Sequence, residues 1–485
     1  MRSGRSNTPV ILAAIHPASE SYGEPVGNGE SKSSSWRAPI TASGPTGADM
    51  MRNFLLIRRD PILFLSNMQA AHGNVLQFPI PRPGVYLVSD PDAVKEVLVT
   101  NARQYSKRTI QYDSLSLVTG NGLLTADDPP WRAHRSVLQP AFHHEALSGI
   151  AEHVTQAVKV RVDEWEQLDG STPQDVEAEM MQTSLQVVAG ALFGSQWNDQ
   201  ARGITEATVV ALDAVVARAR NPLAPPLSWP TPGARKLRRS IGTLDDAVSS
   251  VLRTRKLNPG EVQSLPDVVD LLLASAVDPG ALLDDQAIRD ELVTMLVAGH
   301  ETVGSAMTWM WFLLASNPGP ADSLHAELDA VLDRRLPRLS DLESLPYTRA
   351  VVEETLRLYP PAWVITRKAL ADQELSGHEI PAGSLIIMSP WIVHRNTTAW
   401  DAPEQFRPER FLDGSSSARR AAYLPFGMGA RLCIGRDMAL LECTLILATI
   451  ASRFRLQLPL GHEVIALPSV TVRPTGGLPM LVEPR

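Results

Sequence analysis

Between Asp284 and Asn317 the chain runs for 34 positions without a proline, and most of that run is apolar. At about 1.5 Å per residue, a single helix of this length crosses ~50 Å, the full width of a domain. Ordinary globular helices hold only about 11–12 residues. A helix this long and this apolar has to pass through the core, and the rest of the fold must be arranged around it. His300 and Glu301 break its apolar part, Leu292 to Ser316, so it falls short of the roughly 18 uninterrupted apolar residues of a membrane span. Membrane helices rarely carry two such side chains at their centre, and a buried core helix is the better reading.

The flanking sequence predicts a mainly α fold with a minor β region. Asp60-Pro61 and Asp90-Pro91 each pair a capping side chain with a proline at the first helical position. Val75–Phe78 and Val85–Val88 read as a strand pair around a proline-rich turn. Five prolines between Asn221 and Gly233 exclude a continuous helix there and predict a loop between two helices. Amphipathic helices are expected over Ala321–Asp333 and Thr348–Leu358, strands and turns from Trp363 to Met388, and a last helix from Cys433 to Phe454.

The first 50 residues are rich in Ser, Gly and Pro, and their one apolar stretch, Val10 to Ile15, is shorter than an export signal requires. They are expected to form a disordered tail, with one large domain over residues 51–485. Met50 and Met51 stand at the boundary, so the start assigned here could lie too early, and a chain begun at Met50 is expected to fold like the full one. A net charge of −8 argues against nucleic acid as a partner, because phosphate binding needs a basic face. With two cysteines in 485 residues, the chain suits a reducing, cytoplasmic compartment.

One of those cysteines lies in the string Phe426-Gly-Met-Gly-Ala-Arg-Leu-Cys433-Ile-Gly435. A metal-binding thiolate needs its sulfur held in place and its charge offset by nearby donors. Here the glycines permit close backbone approach and positive φ, Arg431 supplies a cation, and a helix starting at Cys433 would turn its positive end toward the sulfur. A buried structural cysteine on a glycine-rich turn is the bland alternative for Cys433, and Cys443, on the apolar helix that follows, reads as core packing. Every defined position of Phe-x-x-Gly-x-Arg-x-Cys-x-Gly is filled, and on this string the chain resembles the cytochrome P-450 superfamily. The resemblance implies a single large fold around haem b, with Cys433 as the axial thiolate to iron and Phe426 and Arg431 beside it. Such a ligand pushes electron density onto iron and favours O–O cleavage.

Further motifs fall into place beside it. Glu354 and Arg357 stand at i, i+3, a spacing that alone signals only a weak surface pair. With Arg410, the resemblance implies a buried structural cluster. Ala298-Gly-His-Glu-Thr302 puts a polar run inside an apolar helix. A local kink with a surface-facing turn would explain it blandly. The resemblance implies instead a widened turn at Gly299 beside the haem, with Thr302 holding dioxygen, Glu301 relaying protons and His300 facing away. Trp131 and Arg135 share a helical face at i, i+4. By resemblance they bind haem propionates together with Arg367 and Arg431, although any one of these arginines could be an ordinary surface residue.

Other chemistries fit poorly. A zinc-protease motif would need histidine where Gly304 stands, and a dinucleotide loop would need glycine at Leu432. The sequence contains no Gly-x-Ser-x-Gly elbow. A haem-thiolate peroxygenase or isomerase, or a non-catalytic haem sensor, would not require the Glu301-Thr302 pair.

The expected activity is therefore insertion of one oxygen atom of O2 into a C–H bond of a lipophilic substrate. The chain continues only 31 residues past Phe454, so electrons from NAD(P)H are expected through an external ferredoxin or flavodoxin with its reductase. Arg132, Arg419, Arg420 and Arg436 are candidates for the docking face. Thr109-Ile-Gln-Tyr112, Leu123-Leu-Thr125, Leu296 to Thr302, Leu356 to Trp363 and Arg473 to Pro479 also resemble bacterial carotenoid β-ring hydroxylases of the superfamily. That likeness points to a carotenoid or other terpenoid, with Tyr112, Thr294, Ala298, Trp363, Val364 and Leu478 lining the pocket. A monomer without a membrane span, free to make peripheral membrane contact, completes the expectation.

Overall fold

Asp284 accepts a hydrogen bond from the Ala287 N–H and opens a helix that continues unbroken from Asp285 to Ser316. The computed structural model describes residues 39–485 apart from 81, 195–200, 221–224, 258–265, 277–282 and 413–416. The long helix is buried along most of its length and packs closely on helix Val176–Phe193, where a Cβ on Gly304 would meet Met181 Sδ at 2.5 Å. Farther along, Trp309 stacks on Tyr359 with ring centroids 4.0 Å apart, and its indole N–H donates to the Val472 carbonyl. Helices Leu147–Trp165, Pro318–Leu332, Pro346–Leu358 and Arg436–Ala451 share the main core with it. The fold is mainly α with small sheets, as the sequence predicted.

The largest sheet has five strands, in the order Val75–Phe78, Val85–Val88, Leu385–Met388, Ile365–Ala369, Tyr105–Ser106. Val75 pairs with Val88 in the predicted hairpin, while Val85 pairs with Leu385 in parallel. Asp60 and Asp90 cap their helices as expected, accepting from Leu63 N–H and Ala93 N–H. The proline-rich connection separates helix Ala201–Ala219 from helix Pro232–Leu257, although residues 221–224 of it lie outside the described residues.

Two boundaries differ from expectation. The last helix starts at Arg436, not Cys433, because the cysteine belongs to the preceding loop. Residues 39–50, assigned above to the tail, are ordered. Thr46 and Asp49 form a capping box on helix Gly47–Arg52, which crosses the expected boundary. Upstream of it, Thr41 N–H donates to Gln77 Oε1 at 2.9 Å, Gln77 N–H to the Ser43 carbonyl, and the Gln77 amide to the Pro39 carbonyl. Gln77 lies on the outermost strand of the sheet, and an extended Pro/Ser/Thr/Gly segment suits the covering of a free strand edge. The rest of the expected tail, residues 1–38, lies outside the described residues.

Candidate functional site

Cys433 sits in a loop shaped by two left-handed glycines, Gly427 at φ 72° and Gly429 at φ 71°. At Gly429 a side chain would also run into the Leu98 carbonyl, so this position tolerates no Cβ. Gly435 at φ −90° needs no such freedom, contrary to expectation. The Cys433 N–H donates to the Phe426 carbonyl at 2.9 Å, and the Gly435 N–H donates to its sulfur. Cys433 is exposed and lines a cavity together with Arg135, Thr302 and Phe426. Burial pushes the thiol up, and the Gly435 N–H, Arg135 and Arg436 work against that shift.

Five of the expected residues line that cavity in one place: Trp131, Arg135, Arg367, Phe426 and Arg431. Helix Pro130–Leu138 presents Trp131 and Arg135 on one face, and the Arg431 guanidinium lies 4.4 Å from the Trp131 ring centroid. Arg431 donates to the Ala126 carbonyl and pairs with Asp127 at 3.1 Å. Arg367, on strand Ile365–Ala369, donates to the Thr366 carbonyl. Arg135 donates to the Leu432 carbonyl at 2.8 Å and so braces the cysteine loop.

The sequence reading missed Lys107. Its ammonium lies 4.2 Å from the Tyr112 ring centroid, donates to the Leu124 carbonyl, and lines the same cavity. Burial depresses it well below the ordinary lysine range, with Arg367 and Arg431 adding repulsion and Asp127 opposing. A Lys-Arg pair after a short strand looks like any exposed basic pair, and only its proximity to Thr109-Ile-Gln-Tyr112 could have flagged it. Three mutually repelling basic groups, offset only by Asp127 and, at 4.0 Å from Arg431, the partly exposed Asp128, suit a guest with negative charges of its own at the rim of an otherwise apolar cavity. Buried beneath them, His134 Nδ1 lies 2.5 Å from Glu291 Oε1 and ties helix Pro130–Leu138 to the long helix.

The opposite wall is a stripe of the long helix, made by Thr294, Met295, Ala298, Gly299, Thr302, Val303 and Ala306. The Thr302 hydroxyl donates to the Ala298 carbonyl at 2.7 Å. The widened turn is not seen, since the helix is continuous there. Gly299 contributes its backbone to the wall, while its missing Cβ makes room for Val188, which a Cβ would meet at 2.8 Å. Glu301 does not line the cavity. Its Oε1 accepts from Thr471 Oγ1 at 2.9 Å, and burial pushes its carboxyl up to about 7 against the lowering effect of Arg473 and Thr471. Arg473 pairs with the half-exposed Asp213 at 2.6 Å, and nearby Glu177 is also raised to about 7 by burial. His300 is wholly buried and donates to the Leu296 carbonyl, off the cavity.

Of the expected pocket residues, Tyr112, Thr294 and Ala298 line the cavity, but Trp363, Val364 and Leu478 do not. The Trp363 indole turns to the Ser469 carbonyl, and Pro361, Ala362 and Ile365 line the cavity instead. The Glu354 cluster forms as expected: Arg357 grips both carboxylate oxygens at 2.7 and 2.8 Å, and Arg410 Nε binds Oε1 at 3.0 Å. A larger groove, between helix Pro61–His72 and the turn around Trp391 and Asn396, holds no comparable convergence of reactive groups.

Comparison with known proteins agrees with this geometry. The family model "Cytochrome P450" matches residues 43–478. Cyclooctatin synthase of Streptomyces melanosporofaciens is 34% identical over 454 residues, covering 93% of this chain and 96% of that protein. Cyclooctat-9-en-7-ol 5-monooxygenase of the same organism is 34% identical over 470 residues, covering 95% and 99%. Pentalenene oxygenase of Streptomyces avermitilis is 31% identical over 437 residues, covering 89% and 95%.

Proposed function

The chain belongs to the cytochrome P450 family and is a haem-dependent monooxygenase, and we propose that it places one oxygen atom of O2 on a carbon of a terpenoid. The observation that carries this reading is the shared cavity. Cys433 opens on one wall, the Thr302 hydroxyl stands on the other, and apolar side chains fill most of the space between.

The residues fit haem on structural grounds. A single thiol offers one metal ligand, so its metal must bring its other donors, as a porphyrin does. Lys107, Arg367 and Arg431 need anions at the cavity rim, and two propionates supply them. When bound through Cys433, haem supplies dioxygen activation, with the thiolate favouring O–O cleavage. The Gly435 N–H and Arg135 then hold the thiolate charge, and Trp131 supports Arg431 at the rim.

Proton delivery falls to Glu301 and Thr302. With its carboxyl near 7, Glu301 both holds and releases a proton at neutral pH. It takes protons from the side of Thr471, Arg473 and Asp213, which reaches the surface, and rotation off Thr471 brings them toward the Thr302 hydroxyl. Tyr112, Leu123, Leu124, Leu192, Ala362 and Ile365 exclude water and shape the pocket for a bulky hydrocarbon. Two relatives whose names denote terpenoid oxygenation, the cyclooctat-9-en-7-ol monooxygenase and pentalenene oxygenase, support this substrate class, with a carotenoid as one member of it.

Electrons come from partner proteins, and NAD(P)H through a ferredoxin or flavodoxin with its reductase is the proposed route. Arg132 and Arg436, candidates for docking, are exposed but engaged with Asp128 at 3.2 Å and Asp437 at 2.8 Å, which leaves a weaker basic face than the sequence suggested. Both cysteines are unpaired, which suits a reducing, cytoplasmic compartment.

The test is a spectral screen of the purified protein with cyclic diterpenes, sesquiterpenes, carotenoids and fatty acids. A substrate-induced shift for terpenoids, and NAD(P)H- and O2-dependent products carrying one added oxygen, are expected. A shift only with fatty acids would overturn the substrate class. A reduced carbon-monoxide spectrum of the thiolate type surviving Cys433→Ser would overturn the ligand.

A further inference from the structure

A cavity shaped for hydrocarbon needs few polar groups, and buried hydroxyls are normally bonded to protein. Among the described residues, three hydroxyl-bearing side chains line the cavity: Tyr112, Thr294 and Thr302. Thr302 is bonded to the Ala298 carbonyl. The hydroxyls of Tyr112 and Thr294 bond to none of the described residues.

Thr294 departs from the habit of its own helix. Thr308 donates to the Gly304 carbonyl at 2.7 Å, four residues back, as Thr302 does to Ala298, and Ser305 donates to the Val472 carbonyl. Thr294 makes no such bond to Asp290, although the residue is 1% exposed. Its oxygen is held against Gly122, where a Cβ would lie 2.2 Å from it. One step between staggered rotamers frees that hydroxyl to face the cavity that Thr294 lines.

Tyr112 is fixed in place by its surroundings. It lies in the first turn of helix Ile110–Thr119, next to Gln111, whose amide donates to the Val364 carbonyl at 3.2 Å. Gln111 also accepts from the Thr366 hydroxyl at 2.8 Å, and Thr109 shares a hydrogen bond of 2.7 Å with the same Thr366. The Lys107 ammonium covers the ring. Tyr112 is 8% exposed, and its hydroxyl is close enough to act on the charge of Arg431 at the cavity rim. Haem carboxylates do not require it, because Lys107, Arg135, Arg367 and Arg431 already bring four basic groups to two propionates.

A purely hydrocarbon guest would displace water from both hydroxyls and return no hydrogen bond. We infer that the terpenoid reaches this site already carrying an oxygen atom, that the Tyr112 hydroxyl donates a hydrogen bond to it, and that Thr294 is a second polar contact. The inference rests on the terpenoid reading of the cavity and narrows it to terpenoid alcohols and ketones. The enzyme then follows a step that leaves oxygen on the hydrocarbon frame. Such a step is a cyclisation whose carbocation is captured by water with loss of a proton, or an earlier oxygenation.

Spectral titration of the full haem-loaded chain with matched pairs tests this: cadinene and cadinol, kaurene and kaurenol, β-carotene and β-cryptoxanthin. The alcohol of at least one pair is expected to bind about tenfold or more tighter than its hydrocarbon. Apolar burial would give the reverse order, since the hydroxyl costs more to desolvate. Tyr112→Phe should erase the difference by weakening the alcohol, with the hydrocarbon changed by about twofold at most. Thr294→Val should weaken the alcohol by about threefold or more without lowering the unfolding midpoint, because its hydroxyl holds nothing in the protein. Both variants should keep their haem and the thiolate-type carbon-monoxide spectrum. Hydrocarbons bound as tightly as their alcohols in every pair would overturn the inference and leave the terpenoid reading standing. Equal weakening of both members by Tyr112→Phe, or loss of haem from that variant, would assign the hydroxyl to the cofactor and overturn it as well. No shift with either member of any pair would overturn the terpenoid reading itself, and this inference with it.

Discussion

Glu301 and Thr302 are sequence neighbours that occupy different surroundings, because adjacent helical residues point about 100° apart. Thr302 faces the cavity, whereas Glu301 is pressed against Thr471 in a region that strips its carboxylate of water. Desolvation raises the group because it penalises the charged form. Below about 7 the protonated donor form dominates, and above it the donor is lost, so turnover should decline on the alkaline side of that value. Glu301→Gln is expected to lower kcat by about 10²-fold or more and to flatten this limb. Substrate-induced spectral shifts should survive, because the side chain does not touch the cavity. A variant retaining the wild-type pH profile would remove Glu301 from the reaction. A different residue-scale outcome is expected at Glu354, which is fully buried between Arg357 and Arg410. Glu354→Ala strands two buried guanidiniums and should cost about 3–5 kcal/mol, seen as loss of haem-loaded protein on purification and a lowered unfolding midpoint.

At the scale of elements, the cysteine loop shows how much of the site could be read in advance. Its residues are contiguous, so Phe426, Arg431 and Cys433 were visible as one string and do converge on the cavity. The helix limits were nearly as legible, since Asp284 caps the long helix through a local bond three residues away. Lys107, Thr471 and Ala362 were not, because their roles depend on which distant segment they meet. Nothing local to Thr471 announces a carboxylate 170 positions earlier. The same limit explains Trp363, whose indole is claimed by Ser469 from the C-terminal region. Two glycines of the loop allow a graded test. Both have positive φ, but a Cβ at Gly427 meets only the Arg431 carbonyl at an ordinary 4.0 Å, while at Gly429 it collides with the Leu98 backbone. Gly427→Ala should cost ~1–2 kcal/mol from backbone conformation alone. Gly429→Ala should be clearly worse, with less protein showing the thiolate-type carbon-monoxide spectrum. Equal yields for the two would mean that the loop is not held against Leu98.

Across the whole molecule, the small five-stranded sheet links the N-terminal segment to the strand that carries Arg367. One edge of that sheet is the strand Val75–Phe78, and residues 39–44 lie along it. Gln77 is buried there by bonds to Pro39, Thr41 and Ser43, and Thr41 reaches the Tyr86 hydroxyl at 2.8 Å. A chain begun at Met50 keeps every cavity residue but loses all four of these bonds and exposes the strand edge. At about 1 kcal/mol per lost hydrogen bond, partly replaced by water, the loss should be ~2–3 kcal/mol. The truncated protein is therefore expected to bind haem with an unaltered spectrum, to unfold at a lower temperature, and to aggregate sooner, because an uncovered strand edge is a template for pairing. A chain begun at residue 39 retains the cover and should match the full protein in both measurements. If the Met50 and residue-39 chains melted and aggregated alike, the segment would contribute nothing to the sheet it lies against.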